Sequence, residues 1–244
     1  MPYLVNIGNT HTQVGVMMDG SPSLLARYDT PVLLGDEGRV PLFEDDSELS
    51  AVVSSVVPAL TLKLRRRYGN RLRFLRASDF SCLDFSLVDV STVGMDRIAN
   101  AAGALQALGS GPVIVLDCGT CLVTEAVDAS NRFCGGAILA GRMMLRRGLA
   151  DYTAQLPLVP LQGNRPSPLG RNTHDAILAG VDLGVLGTIR QLIAETRQEM
   201  DATDCPVLVT GGDARFFLEH LPELSAAPDL LTIRGIALAA NGGG

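Results

Sequence analysis

Three short stretches carry residue types at spacings that suit phosphate chemistry. The first is Asn6-Ile7-Gly8-Asn9-Thr10, set between two apolar runs. The second, Asp117-Cys118-Gly119-Thr120, repeats that plan between residues 113–116 and 122–127. Glycine in a tight turn lets the backbone come close to a ligand, and threonine hydroxyls and exposed N–H groups bind phosphate oxygens. A carboxylate such as Asp117 meets phosphate through a cation, because direct contact would be repulsive. Asn6 stands at the matching place in the first turn and offers a carbonyl oxygen without charge. An ordinary hairpin explains either turn taken alone. Two of them, 111 residues apart at Gly8 and Gly119, favour phosphate binding. Neither is a Walker loop, because GxxxxGK[ST] does not occur in the chain.

The third stretch is Gly94-Met95-Asp96-Arg97-Ile98, where a turn feeds a helical pattern. One reading makes Asp96 the helix N-cap. The other has Asp96 accept a proton from a substrate hydroxyl while Arg97 holds a carboxylate through a two-pronged pair. The residues alone leave both open. Glycine pairs at Cys134-Gly135-Gly136-Ala137-Ile138 and Thr210-Gly211-Gly212 allow close backbone contact, and the first precedes a stretch rich in Met and Arg. Gly170-Arg171-Asn172-Thr173-His174 reads as a loop entering a helix capped by Asn172 or Thr173. His11 and His174 read as surface or hydrogen-bonded histidines.

These stretches need elements to hold them. Strand-length apolar runs fall at Tyr3–Ile7, 12–17, 51–56, 113–116, 122–127 and 206–209, and helical spacing covers Pro58–Tyr68, 96–108 and 175–200. The mixture predicts an α/β protein. Residues 4–20 and 113–130 share one plan at half-chain separation, too long for a solenoid repeat. A duplicated domain follows, with halves at 1–110 and 111–244 and a cleft between them, punctuated by Gly109-Ser-Gly-Pro112.

Composition narrows the function classes. Apolar residues are 47% of the 244, enough for a substantial core, and the formal charge of −6 argues against a nucleic-acid surface. The basic run 63–67 reads as a solvated helix face. No secretory signal and no uninterrupted apolar run of membrane-spanning length is evident, which predicts a cytoplasmic protein with no membrane partner. The five cysteines then read as reduced thiols, and Cys118-Gly-Thr-Cys121 lacks the second pair a zinc site requires.

Taken together, IGNT at 7–10, GMDRIANA at 94–101, DCGT at 117–120, GGAI at 135–138, GRNTHDAI at 170–177 and TGG at 210–212 resemble the type III pantothenate kinases, including the Bvg accessory factor-like members. The likeness runs nearly end to end. It implies membership of the acetate and sugar kinase, heat-shock protein and actin superfamily: two ribonuclease H-like (actin-like ATPase) halves around a nucleotide cleft. It further implies phosphorylation of pantothenate by ATP, with Mg2+ and a monovalent cation (K+ or NH4+), in a homodimer that binds pantothenate near the subunit interface.

By position, the resemblance makes Asp96 the general base and Gly94, Met95, Arg97 and Thr173 the substrate contacts. It assigns Asn6, Gly8, Asn9, Thr10 and Gln13, with Gly119 and Thr120, to the nucleotide, and Asp117 to the metal. The chain departs from the family pattern at Asn6 and Gln13, where DIGNTxxK is usual, and at Cys121, Leu122 and Val123, where DxGTATT is usual. Leu87, Val90 and Ala140 stand where a Tyr, a Pro and a Pro are usual. Slow or altered catalysis is the resulting expectation, and a regulatory relative that keeps the fold and weak nucleotide binding is the alternative.

Overall fold

The computed structural model describes residues 1–44 and 46–242, which form two compact units. The first comprises residues 1–111, 131–133 and 228–244, and the second comprises 112–130 and 134–227.

In chain order the first unit begins with β1 (Tyr3–Ile7), β2 (His11–Met18), β3 (Ser21–Asp29), α1 (Thr30–Gly35) and α2 (Pro41–Glu44). It continues with β4 (Ala51–Ser55), α3 (Pro58–Tyr68), β5 (Leu72–Phe74) and α4 (Met95–Leu108). The strands make one sheet in the order β3-β2-β1-β4-β5. β1 pairs antiparallel with β2 and parallel with β4. Alternating apolar positions put Val5, Ile7 and Val14 into a core shared with Phe43, Leu60 and Leu64. Burying each such side chain contributes roughly 1.5–3 kcal/mol. Pro58 at the start of α3 has the fixed φ a first turn needs, and Gly109 ends α4 with φ 87°.

The second unit carries β6 (Val113–Cys118), β7 (Cys121–Val127), β8 (Phe133–Gly135), β9 (Ile138–Ala140), α5 (Arg142–Asp151) and α6 (Thr173–Leu178). A π-type stretch, Ala179–Leu183, joins α6 to α7 (Gly184–Glu199), followed by β10 (Val207–Thr210), α8 (Ala214–His220) and β11 (Ser225–Ala226), after which the chain re-enters the first unit as α9 (Leu231–Gly242). Sheet order is β11-β10-β6-β7-β8, with β9 on β7. Here too a hairpin, β6–β7, is flanked by a parallel partner, β10, on the first strand. The two sheets therefore share one topology, and the internal echo is a structural duplication.

The units are not two consecutive halves of the chain. Whereas the sequence boundary at 111–244 puts α9 in the second half, α9 packs on α4 of the first unit. Gly103 and Gly235 permit that approach. A Cβ on Gly235 would lie 1.8 Å from the Ala99 carbonyl oxygen, and one on Gly103 would lie 2.6 Å from that of Leu231. Buried Asn100 accepts a hydrogen bond from the Thr232 hydroxyl at 2.7 Å across the same contact.

By length and composition alone, Thr173–Glu199 would pass for a membrane-crossing helix. Its Val185, Leu186, Ile189 and Ile193 lie instead in the second unit's core with Ile114, Leu116 and Phe217.

Candidate functional site

In the first unit the β1–β2 turn is closed by the Gly8 N–H donating to the His11 carbonyl at 3.0 Å. Thr30, at the start of α1, braces it from outside. Its hydroxyl donates to the Gly8 carbonyl at 2.7 Å and pairs with that of Thr12 at 2.9 Å. Asn6 stands opposite Gln13 on β2 and opposite Ser54 on β4. Asn6 Oδ1 and Ser54 Oγ are both buried without a protein partner. Buried polar atoms of this kind ordinarily find a partner, so two in register mark a place for a ligand atom or water. His11 bonds Arg27 at 2.9 Å and is a hydrogen-bonded surface histidine.

Gly94, Met95, Asp96 and Arg97 come together at the start of α4. Gly94 is the N-cap residue, so Asp96 is not the cap. Asp96 sits in the first turn, where its Oδ1 accepts the Arg97 N–H at 2.8 Å. A Cβ on Gly94 would lie 2.6 Å from that same oxygen and 3.1 Å from Val56, so a larger residue there would displace the Asp96 carboxylate. Burial pushes the Asp96 carboxyl above the usual range, against the lowering effect of the Arg97 N–H and guanidinium. A groove of about 460 Å3 opens beside it, lined by Ser55, Thr61, Ser91, Thr92, Gly94 and Met95. Val56, Pro58 and Val93 complete a mixed lining of hydroxyl and apolar side chains, and Thr61 donates to Ser55 at 2.8 Å.

The second unit carries the other turn. The Gly119 N–H donates to the Cys121 carbonyl at 3.0 Å, matching the Gly8 bond of the first turn. Two glycine segments press on it. The Gly141 N–H donates to the Thr120 carbonyl at 3.0 Å, and a Cβ there would lie 2.5 Å from that oxygen. Gly211, with φ 98°, lies so close that a Cβ would be 2.6 Å from Asp117 Oδ1. Thr173 opens α6, and Asn172 is its cap, accepting the Asp175 N–H at 2.9 Å. Thr173 lines a different, apolar groove of about 790 Å3 with Met144, Leu149, Tyr152, Ile177 and Val181. Within this unit, then, Asp117, Gly119 and Thr120 are brought together, and Thr173 belongs to another surface.

Comparison with known proteins identifies the arrangement. The family model for type III pantothenate kinase matches residues 3–195. The chain belongs to the type III pantothenate kinase family. A type III pantothenate kinase of Thermomicrobium roseum is 33% identical over 98% of this chain and 96% of its own. One of Rubrobacter xylanophilus is 34% identical over 95% and 94%. Among solved structures, a Baf family protein from Campylobacter jejuni superposes with a TM-score of 0.64 at 17% identity, covering 98% of this chain and 97% of its own. An archaeal actin homologue in complex with ADP superposes at 0.51 and 13% identity, covering 99% of each. The duplicated sheets are thus the actin-like ATPase fold.

As a type III pantothenate kinase family member, the chain carries few groups able to hold a metal by themselves. Among the described residues no cluster of three or more His, Cys, Asp or Glu side chains exists. The five cysteines form no disulfide, and burial pushes the Cys118 thiol far up, so the CxxC spacing carries no reactive thiolate at Cys118. The basic run is a helix face with local partners, Lys63 on Glu37 at 2.6 Å and Arg67 on Glu44 at 2.8 Å.

Sequence reasoning missed three charged residues around the second turn: Arg142, Asp182 and Asp213. The Met- and Arg-rich run after Gly141 was the available signal. Nothing in the local sequence marks Asp182 as its partner 40 residues on.

Proposed function

We propose that this protein transfers the γ-phosphoryl group of ATP to the primary hydroxyl of pantothenate, giving 4'-phosphopantothenate and ADP, the first step of coenzyme A biosynthesis. The observation that carries the reaction chemistry is half-buried Asp96, next in the chain to Gly94 and Met95 of the groove lining, with its carboxyl raised above the usual range by desolvation. A carboxylate of raised pKa is a stronger base than a free one. Asp96 takes the proton as the pantothenate oxygen attacks the γ-phosphorus, and the bond from phosphorus to the ADP oxygen breaks. Met95 and Gly94 shape the groove, and Arg97 pairs with the pantothenate carboxylate. Asn6, Gly8, Asn9, Thr10 and Gln13, with Gly119 and Thr120, hold the ATP phosphates through backbone N–H groups and hydroxyls.

Asp117 would hold K+ or NH4+, and Mg2+ would arrive with the nucleotide and offset charge on the phosphoryl oxygens. The apolar groove at Thr173, with Tyr152 exposed at 91% beside it, supports a homodimer in which this face meets the second copy and borders pantothenate. A small-molecule enzyme of coenzyme A synthesis works in the cytoplasm, without membrane or nucleic-acid partners.

A second reading, a regulatory relative with impaired turnover, draws on Asn6 and Gln13. They stand opposite each other in the first turn, and neither carries charge. ADP release coupled to a spectrophotometric readout, with pantothenate, Mg2+ and either K+ or Na+, separates the two. Pantothenate-dependent ADP is expected, and its absence at saturating ATP would exclude the kinase. Asp96→Asn should abolish turnover while the protein stays folded. Retained turnover would remove Asp96 from its role.

A further inference from the structure

The second phosphate turn is gripped from two sides, and one buried residue ties the two grips together. Arg142 follows Gly141 directly and is only 2% exposed. Its Nε donates to Asp182 Oδ1 at 2.9 Å and its Nη2 to the Gln162 carbonyl at 2.6 Å. Nη1 donates to both oxygens of Asp213, at 2.8 and 3.2 Å. The guanidinium lies over the Phe216 ring, 3.4 Å from its centroid. Every nitrogen of the fork is therefore used, in a planar geometry that lysine cannot reproduce.

Each end of this network touches the turn. On one side, Gly141 donates its N–H to Thr120 and fits against the carbonyls of Gly119 and Thr120. On the other, the Asp213 N–H donates to the Cys118 carbonyl at 2.9 Å, and Gly211 packs on Cys118 and the Asp117 carboxylate. Opening the Arg142–Asp213 link would free the two segments to move apart, and the backbone between Asp117 and Thr120 would lose its bracing.

We propose that Arg142 is a positioning residue for the nucleotide. Through Asp213 and Asp182 it clamps the Gly141 and Gly211–Asp213 segments onto the Asp117–Thr120 turn and so sets the shape of the phosphate-binding backbone. Arg142 touches no substrate. The inference rests on the phosphate role given to that turn under Proposed function.

The test compares Arg142→Gln, Arg142→Lys and Asp213→Asn with Ile193→Ala, which removes buried volume from the same core and leaves the ion cluster intact. Affinity for a non-hydrolysable ATP analogue is measured by calorimetry, amide exchange at 118–122 by mass spectrometry, and thermal stability in parallel. Arg142→Gln should weaken analogue binding about tenfold and speed exchange across the turn. Asp213→Asn should weaken binding about threefold with little loss of stability, and Arg142→Lys should not restore affinity. The KM for ATP should rise with that for pantothenate within about twofold of its original value.

Ile193→Ala should lower the melting temperature without these effects. Analogue affinity unchanged in both Arg142→Gln and Asp213→Asn overturns the clamp. So does an equal loss of affinity in Ile193→Ala, which would reduce Arg142 to a stability role. A wild-type protein that binds no analogue instead refutes the nucleotide role of the turn, and the clamp falls with it.

Discussion

Replacing Asp182 by Leu removes the carboxylate on which two buried arginines depend. Asp182 is fully buried and accepts three hydrogen bonds, one from Arg142 Nε and two from Arg146 Nη2. The consequences for the two arginines differ. Arg142 keeps Asp213 and the Gln162 carbonyl. Arg146 loses its hydrogen-bonded counter-charge, and its Nε and Nη1 already lack hydrogen-bond partners. Burial already pulls the Arg146 guanidinium below its usual range, and Asp182 opposes that pull. Leaving one charge buried and uncompensated costs about 3–5 kcal/mol.

Summing three charge-assisted bonds at about 1.5–3 kcal/mol each would overshoot, because Arg142 is only partly orphaned. At about 2–4 °C per kcal/mol for a protein of this size, the melting temperature should fall by roughly 6–20 °C. Differential scanning calorimetry and urea unfolding read the change. The double variant Asp182→Leu with Arg146→Leu should recover most of it, because swapping a whole buried pair for apolar side chains is often neutral. A loss below about 1 kcal/mol in the single variant, or no recovery in the double, would refute the reasoning.

Asp96 gives a pH signature. Its folded pKa is raised by burial, so the folded state holds that proton more tightly than the unfolded chain. Stability from this group is present below the ordinary carboxylate range and is lost as pH rises through the folded pKa. Asp96→Asn should therefore raise the melting temperature at pH 7 and leave it unchanged near pH 3. The opposite trend in a pH series of melts would contradict the burial argument. Gly141→Ala, whose Cβ would lie 2.5 Å from the Thr120 carbonyl, should weaken nucleotide affinity at least about tenfold, and wild-type affinity by calorimetry would show that the turn does not bind phosphate. Asn6→Asp buries a carboxylate where no protein partner waits, so it should lower the melting temperature in EDTA and regain it with Mg2+ and ATP. Equal melting with and without Mg2+ and ATP would make that position purely structural.

Much of this protein was legible without coordinates because its signals are local. Strand alternation at Tyr3–Ile7, proline and glycine at the ends of α3, and the repeated Gly-Thr turns each act within a few residues. The candidate base was legible for the same reason, since Gly94, Asp96 and Arg97 lie within four residues at one helix start. Its role as a cap was not decidable locally: Gly94 takes the cap position, and Asp96 turns its oxygen to the Arg97 N–H instead. The runs read from spacing do not include β3, α8 or α9. β3 is largely exposed and needs only the register of β2.

By itself, then, the amino-acid order determined the α/β class, the duplication, the family and the two Gly-Thr turns. Those properties rest on dihedral preference, periodicity and contiguous motifs. Tertiary structure alone decided that α9 returns to the first unit, because glycine contacts between Gly235 and Ala99 join positions more than a hundred residues apart. It also decided that Arg142, Asp182 and Asp213 form one buried network around the second turn. Charges meet there because the chain folds them out of water together, and no spacing rule in the sequence encodes such a meeting.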